Sequence, residues 1–156
     1  MTARTNIYDL GLDANAANFT QLSPLSFIAR TAAIYPDLAA VSYGDLRRNW
    51  AQTYARTRRL ASALAGRGIG KGDTVSIIAA NIPEMFEAHF GVPMCGAVLN
   101  TINTRLDAEA VAFILNHAEA AVLLVDPEFA EMAERAIRMA QRPDMLVVDI
   151  EDASFD

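Results

Sequence analysis

Beyond an N-terminal stretch without pattern, the apolar positions of this chain fall into two kinds of segment that alternate. Four short runs, TVSIIAA (74–80), AVLNTI (97–102), AVLLV (121–125) and MLVVDI (145–150), are apolar nearly throughout and rich in β-branched residues, as strands buried on both faces are. Between them the apolar positions recur at helical spacing. Ile82, Phe86, Phe90 and Met94 form one ridge, and Ile114, Leu115 and Ala118 lie on one face of a second segment. A third puts Phe129, Met132, Ala133, Ala136, Ile137 and Ala140 inward, with Glu131–Arg135 and Glu134–Arg138 as outward pairs. This order predicts an α/β fold with a parallel sheet, helices on both faces and right-handed connections.

Upstream, Ser23 with Pro24 predicts a helix start, and Leu22 and Phe27 stand at the spacing of a hydrophobic staple. Pro36 ends that helix, and Gly44-Asp45 predicts a tight hairpin between Ala39–Tyr43 and Leu46. Asn49 with Gln52 three residues on reads as a capping box. The helix behind it carries Trp50, Tyr54, Thr57, Ala61 and Leu64 at helical spacing, with Arg56 and Arg59 on another face. Gly66 and Gly68 end it. Asn81 is a candidate cap for the next helix, with Pro83 in its first turn, Glu84 and Glu87 near its positive end, and Pro93 bending or ending it. Asp107 caps the following helix, with Leu106 and Val111 at staple spacing, and Asp126-Pro127 opens the last. Residues 1–22 read as an irregular segment and residues 23–156 as one folded unit.

Composition narrows the function classes. The 156 residues suffice for a core, and 53% are hydrophobic. No apolar run approaches the roughly 18 residues of a membrane span, so no such span is expected. A net charge of −6 without a basic stripe argues against nucleic acid. The N-terminus has no apolar leader, and the lone Cys95 excludes an internal disulfide; both point to the cytoplasm.

Candidate chemistry is sparse. The cluster GRGIGKGD fails the phosphate-loop spacing, because only three residues separate Gly66 from Gly70 and Gly72 follows Lys71. It also follows a helix, so it reads as a helix stop and turn. His89, Cys95 and His117 lack zinc spacing, and His89 reads as packed beside Phe86 and Phe90; no metal site is expected. Ligands of open parallel sheets gather beyond the carboxyl ends of the strands. Those ends carry Asn81, Asn103 and Arg105, whose donors suit an anionic substrate or cofactor. Against that stand turn formation by the asparagines and a structural ion pair for Arg105.

The segments PLSFIARTAAIYPDLAAVSYGD, NWAQTYARTRRLASALAGRGIGKGDTV and above all NIPEMFEAHFGVPMCGAVLNTINTRL resemble the front part of AMP-forming acyl-CoA synthetases. In detail they resemble the short- and medium-chain branch, with its methylmercaptopropionate–CoA ligases and plant acyl-activating enzymes. Asn49 stands where that pattern more often has Thr, and either residue can cap. The resemblance implies a piece of a larger N-terminal AMP-binding domain. Its parent enzyme would use ATP, Mg²⁺ and CoA to convert a small carboxylic acid to an acyl-adenylate and then to its thioester. The family's phosphate loop ending in Pro-Lys-Gly, its Tyr-Gly-x-Thr-Glu motif, its ribose-binding Asp, its hinge and its catalytic Lys are absent from the sequence. No catalytic residue carries over. The chain alone is therefore expected to be inactive and to need no cofactor. It is also expected to self-associate through sheet edges that further chain would cover. The alternatives are a free-standing flavodoxin-like module for a small ligand and a non-catalytic assembly scaffold.

Overall fold

In a computed structural model of the chain, the described residues are Gly11, Asp13, 15–20 and 22–151. Most of the expected irregular segment 1–22 therefore lies outside them. The elements run α1 (Pro24–Ile34), β1 (Ala39–Tyr43), β2 (Leu46–Asn49), α2 (Trp50–Ala65), β3 (Thr74–Ile78), α3 (Pro83–Met94), β4 (Val98–Thr101), α4 (Ala108–His117), β5 (Ala120–Val125), a 3-10 turn (Pro127–Phe129), α5 (Ala130–Met139) and β6 (Leu146–Asp149). β1 and β2 form the expected antiparallel hairpin. β3 to β6 form one parallel sheet in the order β4-β3-β5-β6.

Strand alternation sends side chains to two cores. Val75 and Ile77 of β3 join Val122 and Leu124 of β5 in one, beneath α3 and with Leu64 of α2. Ile78, Leu123 and Val125 face the other way, against Val111 and Leu115 of α4 and Ala133 and Ala136 of α5. The sheet is thus covered on both faces, as the unbroken apolar runs require.

Local signals explain most helix boundaries. Ser23 Oγ accepts from Leu25 N at 3.2 Å, and Asp107 Oδ1 accepts from Ala110 N at 2.9 Å. The capping box is present: Asn49 Oδ1 accepts from Gln52 N at 2.8 Å, and Gln52 Oε1 accepts from Asn49 N at 3.0 Å. The end of α2 differs in one detail. Gly66 is still right-handed, and the left-handed residue is Gly68, at φ +81°. The outward pair Glu134–Arg138 is formed at 3.5 Å.

Two expectations fail. Leu22 is 87% and Phe27 57% exposed, so the proposed staple leaves both side chains in solvent. Spacing alone cannot supply the packing that a staple needs. Asn81 does not cap α3; the cap position is Ile82, extended at φ −90° and ψ 164°, with no side-chain acceptor. Pro83 forces its predecessor out of helical conformation, which moves the boundary one residue past the asparagine.

The α2–α3 contact is close because Gly91 has no side chain. A Cβ there would sit 2.7 Å from Leu60 Cδ2 and 3.0 Å from Leu60 Cβ. Gly91→Val is expected to lower stability by about 1–3 kcal/mol, read by urea denaturation. Pairing it with Leu60→Ala should cost less than the sum of the two single changes.

Candidate functional site

In chain order the parallel strands run second, first, third, fourth across the sheet, a doubly wound arrangement whose direction reverses between β3 and β5. At the carboxyl end of that pair stands Asp126, 1% exposed. Its N–H donates to Ile78 O at 3.0 Å. Its Oδ2 accepts from Ala80 N at 3.3 Å and its Oδ1 from Glu128 N at 3.1 Å. One carboxylate therefore caps the 3-10 turn and ties it to the β3–α3 loop. In nucleotide-binding sheets of this order the same crevice offers amides to a phosphate. Here a carboxylate has taken the amides, and it would repel a phosphate. The expectation that Asp126 opens a helix holds, through one 3-10 turn followed by α5.

The three residues singled out at the strand ends differ in what they do. Asn103 Oδ1 accepts from Arg105 N at 3.0 Å, closing a turn after β4, so its acceptor is engaged locally. Arg105 is exposed and makes no ion pair among the described residues, contrary to the structural reading weighed for it. Asn81 is exposed and borders a shallow apolar recess of about 420 Å³ with Ile82, Met85, Phe86, His89 and Phe90. His89, expected to be packed, is exposed; its ring nitrogen Nδ1 lies 2.8 Å from Met85 O. Phe86 and Phe90 do meet, edge to face at 5.3 Å. Among the described residues no three His, Cys, Asp or Glu side chains group as metal ligands.

Sequence reasoning missed a four-member charge cluster. Glu87 of α3, 5% exposed, accepts from Arg48 of β2 at 2.8 Å and from Arg56 of α2 at 2.6 Å. Glu84 accepts from Arg56 at 3.0 Å and lies 3.4 Å from Arg48. The Arg56 guanidinium is held above its ordinary pKa, first by its hydrogen bond to Glu87, against partial burial and with the charges of Glu87 and Glu84 adding. It stays charged at any working pH. The missed signal was two arginines eight apart, Arg48 and Arg56, followed by two glutamates three apart, Glu84 and Glu87. That i, i+3 spacing puts both carboxylates on one face of α3. The cluster lines one wall of a groove of about 540 Å³ floored by Ile77, Leu124, Val148 and Ile150.

The AMP-binding enzyme family matches residues 28–156. The chain belongs to that family. It is 55% identical over 125 residues to the peroxisomal acetate/butyrate–CoA ligase AAE7 of Arabidopsis thaliana, across 80% of this chain and 22% of that protein. It is 47% identical over 152 residues to the acetate–CoA ligase CCL3 of Humulus lupulus, across 93% and 27%. The chain thus spans about a quarter of the length of these relatives. Among solved structures it superposes on a Mycobacterium tuberculosis fatty acyl CoA synthetase with a TM-score of 0.75 and 29% identity, over 84% of this chain and 27% of that one. The anthranilate CoA ligase AuaEII, at 22% identity and a TM-score of 0.79 over 88% and 27%, shares the fold. The parallel-sheet α/β fold read from the sequence is that of the family's N-terminal part.

One expectation is overturned here. A cytoplasmic location was read from the missing leader and the lone cysteine. The acetate/butyrate, trans-cinnamate and benzoate ligases among the relatives are peroxisomal. A peroxisomal address is read by a receptor and leaves the cysteine count untouched, so neither feature separates the cytoplasm from the peroxisome.

Removing the Asp126 carboxylate should loosen the β3–α3 loop. Asp126→Ala is expected to cost about 1–3 kcal/mol, because the Ala80 and Glu128 N–H groups lose their acceptor. Asp126→Asn, which keeps one acceptor oxygen, should cost less. Urea titration of the three proteins checks the order.

Proposed function

We propose that residues 23–156 form the N-terminal part of the large AMP-binding domain of an acyl-CoA ligase. The intact enzyme activates a short- or medium-chain carboxylic acid with ATP to an acyl-adenylate and transfers the acyl group to CoA. The observation that carries this reading is the 55% identity over 125 residues to an acetate/butyrate–CoA ligase. The described residues do not fit ATP or Mg²⁺: both oxygens of the switch-point carboxylate are engaged, and no metal-ligand group is present among them. We place nucleotide and metal in other parts of the intact protein, and no chemical step is assigned to this segment. The same carboxylate weighs against the flavodoxin-like module, since it stands where that fold would take a phosphate. Of the strand-end candidates, Arg105 and Asn81 keep exposed polar groups that can meet an anionic substrate, whereas Asn103 serves a turn. The isolated chain is proposed to self-associate, because among the described residues β4 and β6 each pair on one side alone.

Two assays test the reading. The full-length protein, given ATP, Mg²⁺, CoA and acetate or butyrate, is expected to form AMP and the acyl-CoA. The 156-residue chain is expected to release no pyrophosphate above background. A full-length protein inactive on a panel of small acids, or an active isolated chain, would refute it. In the full-length protein, Arg105→Ala should raise a KM without moving Tm; an unchanged KM for acid, ATP and CoA removes Arg105 from the substrate path.

A further inference from the structure

Three residues stand side by side across the sheet: Ile77 of β3, Leu124 of β5 and Val148 of β6. All three line the groove beside α2. Their exposures are 0%, 7% and 38%, so the cover that α2 and α3 give this face runs out between β5 and β6. On the opposite face α4 and α5 pack over the strands through Val111, Leu115, Ala133 and Ala136. Parallel strands of apolar composition are stable when buried on both faces. The groove of about 540 Å³ marks where one of those faces lacks its cover.

The walls determine what that cover must present. Leu60 and Ala63 of α2 line the groove, with Arg59 beside them. Arg48 and Arg56 are already matched by Glu87 and Glu84. Arg59 is exposed and, among the described residues, forms no ion pair, Glu151 on the same lining included. Residues 46–67 hold six arginines and no acidic residue, so α2 itself cannot answer this charge. Sheet faces in α/β folds are covered by helices, each about 10 Å across. A helix here would lay an apolar stripe on Val148, Leu60 and Ala63 and set a carboxylate against Arg59. The aligned part makes up 22% and 27% of the two plant ligases, so most of a protein of that length is other chain. A helix tethered in the same polypeptide acts at an effective concentration on the order of millimolar, above that of a second copy in dilute solution.

We infer that the groove between α2 and β6 seats an amphipathic helix from another part of the same polypeptide, held by its apolar stripe on Val148 and by a carboxylate on Arg59. The inference rests on that part of the proposed function which makes the chain a segment of a longer protein. It needs no assignment of substrate or nucleotide.

Thiol labelling tests it. Val148→Cys is placed in the 156-residue chain and in the full-length protein, and maleimide addition at that position is followed by peptide mass spectrometry, apart from Cys95. Labelling is expected to be at least about tenfold slower in the full-length protein, as for a site freed only by local opening. Adding Arg59→Glu should raise the full-length rate towards that of the short chain and leave the short chain's rate unchanged. Arg59→Lys should keep the protection. Equal rates in the two proteins overturn the inference. So does protection that is lost on dilution, which means a second copy, and protection that survives Arg59→Glu, which means no carboxylate at that place. Should Val148→Cys misfold, hydroxyl-radical footprinting of the unsubstituted Val148 and Leu60 makes the same comparison. Acyl-CoA formation is read on the same full-length protein. Activity without protection overturns this inference alone, and protection without activity supports it while refuting the ligase reading.

Discussion

Glu87 is a buried carboxylate that receives one arginine from the hairpin and another from the following helix. Through Arg48 at 2.8 Å and Arg56 at 2.6 Å it ties β2 and α2 to α3, which itself lies on the sheet. A carboxylate this deep is costly to bury unless its oxygens are matched. Glu84 shares the same arginines from the exposed side, so two positive and two negative charges balance within one cluster. The Gly91–Leu60 contact completes the arrangement by letting the two helices approach closely. β2 and α2 are thus tied to α3 by charge pairing and close packing, and Tyr43 of β1 packs against the same core.

Asp126 plays a corresponding part between β3 and β5. It satisfies the Ala80 amide across the reversal of strand order and closes the crevice with negative charge. The fold family of doubly wound sheets would place a ligand there. This chain keeps the architecture and gives up that site. In the proposed ligase the nucleotide site is accordingly expected in other parts of the protein. Here the segment contributes scaffold and exposed polar groups at the strand ends.

Much of the fold was legible because its signals are local or periodic. The unbroken apolar runs of β3 and β5 specify a buried parallel sheet, and Asn49 with Gln52 specifies a helix start three residues long in its logic. Errors arose where tertiary context decides. Leu22 and Phe27 have staple spacing but stay exposed, and Asn81 lost its capping position to the constraint Pro83 imposes on Ile82. The sequence places Arg56 only on another face of its helix, because its partner lies 31 positions away. Topology puts the strand-end candidates beyond the carboxyl ends of β3 and β4. Their roles were not legible, since one turn bond separates Asn103 as a structural residue from Arg105 as a free one.

The account rests most directly on the coupling between Glu87 and Arg56. A double-mutant cycle with Glu87→Ala, Arg56→Ala and the pair, followed by urea denaturation at neutral pH, measures it. The predicted result is a large cost for Glu87→Ala and a coupling energy of about 1.5 kcal/mol or more, as expected for a buried, hydrogen-bonded pair. A coupling below about 0.5 kcal/mol, the value of an exposed ion pair, would contradict it.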